Sequence, residues 1–127
     1  MKITDDQGKQ IKIADAPSKR TEYYLSRVGA TDIEKLDFEQ RKKVFLLAIK
    51  DFLDGSFSTD ELSSISFKIH RLPMDMKTFE ENELNDAIYA GTELAFYVRR
   101  IDSDQGGSQF DIFMFEIMQY FKKHFPF

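Results

Sequence analysis

Residues 38–69 read FEQRKKVFLLAIKDFLDGSFSTDELSSISFKI, and this stretch decides the fold. Phe45, Ala48, Ile49, Phe52 and Leu53 recur at the three- and four-residue spacing of one helical face, which predicts an amphipathic helix over Phe38–Leu53. Arg41, Lys42 and Lys50 fall away from the centre of that stripe, as solvated cations should. Asp37, three residues before Gln40, offers a cap at the start, and Gly55 offers a stop at the end. Ser58-Thr59-Asp60-Glu61 is a capping box that opens a second helix. Leu62, Ile65, Ile69 and Leu72 carry that helix forward until Pro73, which lacks a backbone donor and clashes with the preceding turn. Two helices joined by a four-residue turn set the class as mainly α.

The same punctuation extends in both directions. Toward the N-terminus, Thr31-Asp32-Ile33-Glu34 matches a capping box. Asp15-Ala16-Pro17 opens a short helix with Tyr24, Leu25 and Val28 on its apolar side and Gly29 at its end. Residues 1–13 read as a β-hairpin: Ile3 lies on one arm, Ile11 and Ile13 alternate on the other, and Asp6-Gln7-Gly8-Lys9 forms the turn. Toward the C-terminus, Thr78-Phe79-Glu80-Glu81 starts a long helix with Leu84, Ala87, Ile88, Leu94, Ala95, Val98 and Ile101 inside. Gly91 lies on that inner stripe, where it lowers helix propensity, so close approach of another helix is expected there. Asp102 to Gly107 read as a polar loop, and Ser108 as the cap of a final helix that runs to about His124. Phe110, Phe113, Met114, Ile117, Met118 and Phe121 form the inner face of that helix. Ile112, Phe115 and Tyr120 widen the arc beyond an ordinary surface stripe, so this helix is either central to the core or covered by a partner. The expected architecture is a single domain over residues 1–127: a small N-terminal β-hairpin at 1–13 and a compact bundle of four to five helices over 17–125.

A chain of 127 residues buries enough surface to fold without cross-links, and it has no cysteine to form one. The lack of Cys removes thiol catalysis and thiolate metal ligands, and it fits a reducing compartment. The first residues have no apolar h-region, and the most apolar run, 110–121, is interrupted by Asp111, Glu116 and Gln119, so neither a signal peptide nor a membrane span is expected. These features predict a cytoplasmic protein. The net charge of −4 argues against direct nucleic-acid binding, which needs clustered cations against phosphates.

A search for chemistry finds no constellation. His70 and His124 lack the Glu-x-x-His and His-Glu-x-x-His spacings of metal-binding helices. Asp102-Ser103-Asp104-Gln105-Gly106-Gly107 resembles a calcium loop at first, but its twelfth position is Phe113 rather than the bidentate Glu. No serine sits in a Gly-x-Ser-x-Gly elbow, and Gly106-Gly107 is at most a faint anion-site signal. The turn at 54–58 could join a helix-turn-helix, but Thr59, Asp60 and Glu61 would lead the second helix into the groove, and two acids there repel phosphates. Arg41-Lys42-Lys43, Arg99-Arg100 and Lys122-Lys123 sit on three separate helices and read as solvated faces. No enzyme activity, metal or cofactor is expected.

The segment Phe38 to Ile69 resembles the first helical hairpin of small bacterial colicin-type immunity proteins, in which an aliphatic helix ends in Phe-Leu-x-Gly and Ser-x-x-Glu-Leu opens the next, here Phe52-Leu53-Asp54-Gly55 and Ser58-Thr59-Asp60-Glu61-Leu62. The similarity covers about a quarter of the chain. It implies an inhibitor that neutralises a cognate protein toxin, often a basic nuclease, by occluding its active site. Under that resemblance Glu80, Glu81, Glu83 and Asp86, the densest acidic cluster, become the acidic contact, and Tyr23, Tyr24 and Tyr89 become aromatic anchors. Each set also has an ordinary structural account: carboxylates favour the first turn of a helix, and tyrosines favour core boundaries. The alternative function is a helical adaptor or a homodimeric regulatory module with no toxin partner.

Overall fold

The computed structural model describes residues 3–4, 10–11, 19–70, 72, 76–98 and 106–126. Among these residues there are five α-helices: α1 Lys19–Arg27, α2 Phe38–Leu53, α3 Thr59–His70, α4 Phe79–Val98 and α5 Gly106–His124. A single 3-10 turn, Ile33–Lys35, lies between α1 and α2. The mainly helical class holds. Of the expected hairpin only Ile3–Thr4 and Gln10–Ile11 are described, paired antiparallel with Ile3 opposite Ile11. Its turn and its placement lie outside the described residues, as do Pro17, Pro73 and Ile101. No helix among the described residues is long and apolar enough to cross a membrane.

Local chemistry explains where the helices begin and end. Asp37 and Gln40 close a reciprocal capping box at the start of α2, with the Gln40 N–H donating to Asp37 Oδ1 at 2.8 Å and the Asp37 N–H donating to Gln40 Oε1 at 3.1 Å. Ser58 and Glu61 do the same for α3, at 3.1 and 3.2 Å. Gly29 and Gly55 take φ values of +71° and +81°. At each of them the chain closes a Schellman motif: the Ala30 and Ser56 N–H groups reach back to the carbonyls of Leu25 and Asp51. Two expected starts differ. Thr31–Glu34 opens only a 3-10 turn, capped by Asp32 rather than Thr31. The backbone of α5 is already helical at Gly106, so Ser108 lies within its first turn and is not its cap.

The core centres on α2, which contacts each of the other four helices. Val44, Phe45, Leu46, Leu47, Ala48 and Ile49 are all buried in sequence, so the middle of α2 is enclosed on every side rather than along one stripe. Leu53, expected on that stripe, lies at the surface. Arg41, expected in solvent, is buried, and its Nε donates to the Leu36 carbonyl at 3.1 Å. Burial pulls its guanidinium below the ordinary arginine value, while the nearby charges of Asp37 and Glu81 oppose that shift. Tyr24 and Leu25 of α1, Leu62, Ile65 and Ile69 of α3, Leu84, Ile88 and Leu94 of α4 and Ile117 and Tyr120 of α5 complete one continuous cluster.

The α3–α4 contact is the tightest seam. A side chain at Gly91 would drive its Cβ into Ser66 Oγ and bring it to 3.1 Å from Ser66 Cβ and 3.2 Å from the Phe45 ring. The close approach expected from the glycine is therefore present. It lets Ser63 Oγ donate to the Gly91 carbonyl at 2.9 Å and accept from the Ala95 N–H at 3.0 Å. One hydroxyl of α3 thus spans the carbonyl and the N–H of a single rung of α4. Ser66 Oγ, one turn along, is buried with no hydrogen-bond partner among the described residues.

Gly91→Ala adds about 1 kcal/mol of helix propensity, but overpacking this seam costs roughly 1–3 kcal/mol, so the variant is expected to be less stable in urea denaturation. Ser66→Ala removes a hydroxyl that bonds nothing and should be neutral or stabilising. The double variant should then lose less than the two single changes summed, and a strictly additive result would rule out Ser66 as the group that Gly91 accommodates.

Candidate protein-binding face

Helices α4 and α5 lie side by side and leave an open groove of about 850 Å³ along their outer surface. Ala87 and Tyr120 are almost fully buried and form its floor, with Phe113 beside them. Phe79, Tyr89 and Phe115 stand on its edges, exposed at 70, 46 and 64%. Tyr89 meets Phe113 edge-on, with ring centroids 6.0 Å apart, and also faces His70 at 5.9 Å. Asn82, Glu83, Asp86, Glu116, Gln119, Lys122 and Lys123 supply the polar lining.

One end of the groove is fixed by Glu83. Its two carboxylate oxygens are each 2.7 Å from a partner near the end of α5, Oε2 from Lys123 Nζ and Oε1 from His124 Nε2. The Lys123 ammonium also lies 5.1 Å from the centre of the Phe79 ring, and the His124 ring packs on Tyr120 with centroids 4.4 Å apart and planes tilted by 42°. Burial alone would raise the Glu83 carboxyl. The hydrogen bonds and charges of Lys123 and His124 outweigh that effect and hold it below the ordinary carboxylate value. Tyr120 is raised instead, by burial first and then by Glu83 and Glu39, so its hydroxyl remains protonated.

The expected site residues separate into three groups. Glu83, Asp86 and Tyr89 come together in the groove. Glu80 is exposed on the same helix but does not line it. Glu81 is occupied internally: its N–H donates to Thr78 Oγ1 at 3.1 Å, its Oε1 accepts from the same hydroxyl at 3.0 Å, and its charge reaches Arg41. Tyr23 is half exposed on α1, apart from the groove lining, beneath the Arg27 guanidinium at 5.9 Å. Tyr24 is fully buried, so it anchors the core and not a partner. Its hydroxyl donates to Asp51 Oδ2 at 2.6 Å, and Arg20 donates to that same oxygen at 3.1 Å.

No family model, curated protein or solved structure matches the chain.

Phe79, Phe115, Glu116 and Lys123 belong to the groove but were not named as site residues from the sequence. Phe79 did carry a signal, since it opens a helix whose next residues on that side, Asn82 and Glu83, are polar. Phe115 likewise has Asp111 one turn before it and Gln119 one turn after. A large aromatic residue isolated among polar neighbours on a helix face is a residue presented to solvent.

The Glu83 carboxyl titrates lower in the folded chain than in the unfolded one. Its contribution is therefore fully present above the ordinary value of about 4.5 and lost as pH falls through the depressed folded value. Glu83→Gln should cost roughly 1 kcal/mol at pH 7, a figure limited by the exposure of Lys123, and the gap from wild type should shrink toward pH 3. Urea titrations of both proteins across that range measure it, and a gap that does not depend on pH would remove the ionic account.

Proposed function

We propose that this protein is a cytoplasmic, immunity-type inhibitor that binds a cognate toxin domain through the α4–α5 face and occludes the toxin's active site. The observation that carries this reading is the set of three exposed aromatic side chains, Phe79, Tyr89 and Phe115, framing a groove that stands open among the described residues. Large, rigid aromatic side chains supply contact area at low entropic cost and dominate binding energy in protein interfaces. The resemblance of residues 38–69 to colicin-type immunity proteins supplies the class of partner. Charge has a smaller role here than the acidic cluster alone implied. Glu81 and Glu83 are engaged within the chain, which leaves Glu80, Asp86, Asp111 and Glu116 as exposed carboxylates of α4 and α5. Electrostatic steering by a few exposed carboxylates raises the association rate, while the aromatic anchors set the lifetime of the complex.

Co-expression with the product of the adjacent gene, followed by pull-down and a growth assay, tests the reading. The protein should capture the toxin domain at nanomolar affinity and rescue growth. Tyr89→Ala and Phe115→Ala should each weaken capture at least tenfold without lowering the melting temperature, because both rings are exposed. A harmless neighbour, or rescue that both variants leave intact, would overturn the proposal.

A further inference from the structure

The groove commits its occupant to a particular chemistry. Its walls are Phe79–Tyr89 of α4 and Phe113–Lys123 of α5, ten residues of rise on each, so it runs about 15 Å at 1.5 Å per residue. That length matches roughly three turns of a third helix. The walls are helical and offer no unpaired backbone donors or acceptors to an extended peptide, which would lie there without a ladder partner. A helix satisfies its own backbone and presents only side chains. Ala87 on the floor leaves depth beneath the aromatic edges for apolar side chains at i, i+4 and i+7.

Charge selects the rest of the occupant. Of the five charged lining residues on these two walls, Glu83 and Lys123 neutralise each other. Asp86 and Glu116 are exposed, and neither forms an ion pair among the described residues. Lys122 is the remaining cation and stands toward the Lys123 end. The half of the groove toward Tyr89 and Phe113 is therefore negative. A second copy presenting this same α5 face fits poorly. Ile112 and Phe115 are flanked there by Asp111 and Glu116 and would set carboxylates against Asp86 and Glu116. We infer that the α4–α5 groove receives an amphipathic α-helix of a partner protein, with lysine or arginine beside its apolar stripe placed against Asp86 and Glu116. This inference rests on the proposed function only for the choice of face, and not on the partner being a toxin.

The test is a selection from a surface-displayed library of 14-residue helical peptides with randomised apolar and charged positions, run against the intact protein. Enriched sequences should carry apolar residues at i, i+4 and i+7 with Lys or Arg alongside. Individual peptides should perturb amide resonances of Phe79–Tyr89 and Phe113–Lys123. Calorimetry should show at least a tenfold loss of affinity with the Asp86→Lys/Glu116→Lys variant, whose melting temperature controls for folding. Enrichment of acidic or non-helical sequences, binding indifferent to Asp86 and Glu116, self-association at the groove, or no enrichment at all would each overturn the inference. Toxin rescue reads out separately. If rescue fails while basic helices bind as described, the partner class is wrong and the groove specificity stands. If rescue succeeds and the peptides fail, the toxin docks by another element and this inference falls.

Discussion

Everything in this fold is arranged around the need to enclose α2 on all sides. Six consecutive residues, Val44 to Ile49, are buried, and no single neighbouring helix covers more than part of a helical circumference. Four neighbours are required, and α1, α3, α4 and α5 each contact it. The consequence reaches the surface. A helix recruited to cover α2 spends one face on that task and keeps the opposite face for solvent or a partner. In α5, Ile117 and Tyr120 turn inward while Ile112 and Phe115 remain outside. The groove is the outer seam between two helices whose inner faces are already committed.

The close α3–α4 seam serves the same end. Without a side chain at Gly91, α3 approaches near enough for Ser63 to bond a carbonyl and an N–H of α4 at once. That contact locks α4 against α3 on one side, and the Glu83 pair with Lys123 and His124 ties it to α5 on the other. Helix α4 is held at two separated points along its length, so both walls of the groove stand at a fixed distance. A binding face supported in this way needs little reordering when a partner arrives, which keeps more of the contact energy as affinity.

The parts of this structure that could be read from the sequence were those governed by local chemistry. The bounds of α2, the Ser58–Glu61 box and the glycine stops at 29 and 55 each depend on residues within one turn of one another. Gly91 announced a close approach because a glycine inside a helical stripe has a cost that packing must offset. What escaped was everything set by which element lies opposite. Phe45 and Leu46 both read as apolar, but whether one or both sides of α2 meet a neighbour depends on helices placed elsewhere in the chain. Arg41 belongs to a basic triplet; the carbonyl that partners it, Leu36, is only five residues earlier, but its burial depends on what packs over that side of α2. Tyr24 and Tyr89 looked equivalent as aromatic residues near stripe edges. The difference is Asp51, twenty-seven residues from Tyr24, which gives its hydroxyl a partner and makes full burial affordable.

The acidic cluster shows why composition alone misplaces a site. Four carboxylates within seven residues of one helix suggest a single charged surface, yet each position on the helix points in a different direction. Glu81 turns toward Thr78 and Arg41, Glu83 toward the end of α5, and only Glu80 and Asp86 are left exposed. Half of the apparent charge is therefore used to build the groove rather than to be read by what enters it. Glu116, from a different helix and absent from any local cluster, lines the groove with Asp86, a place that sequence proximity would have given to Glu81. The recognition surface is composed across the seam, one carboxylate from each wall. A partner that reads it must present its cations with the spacing of two helices and not with the spacing of one.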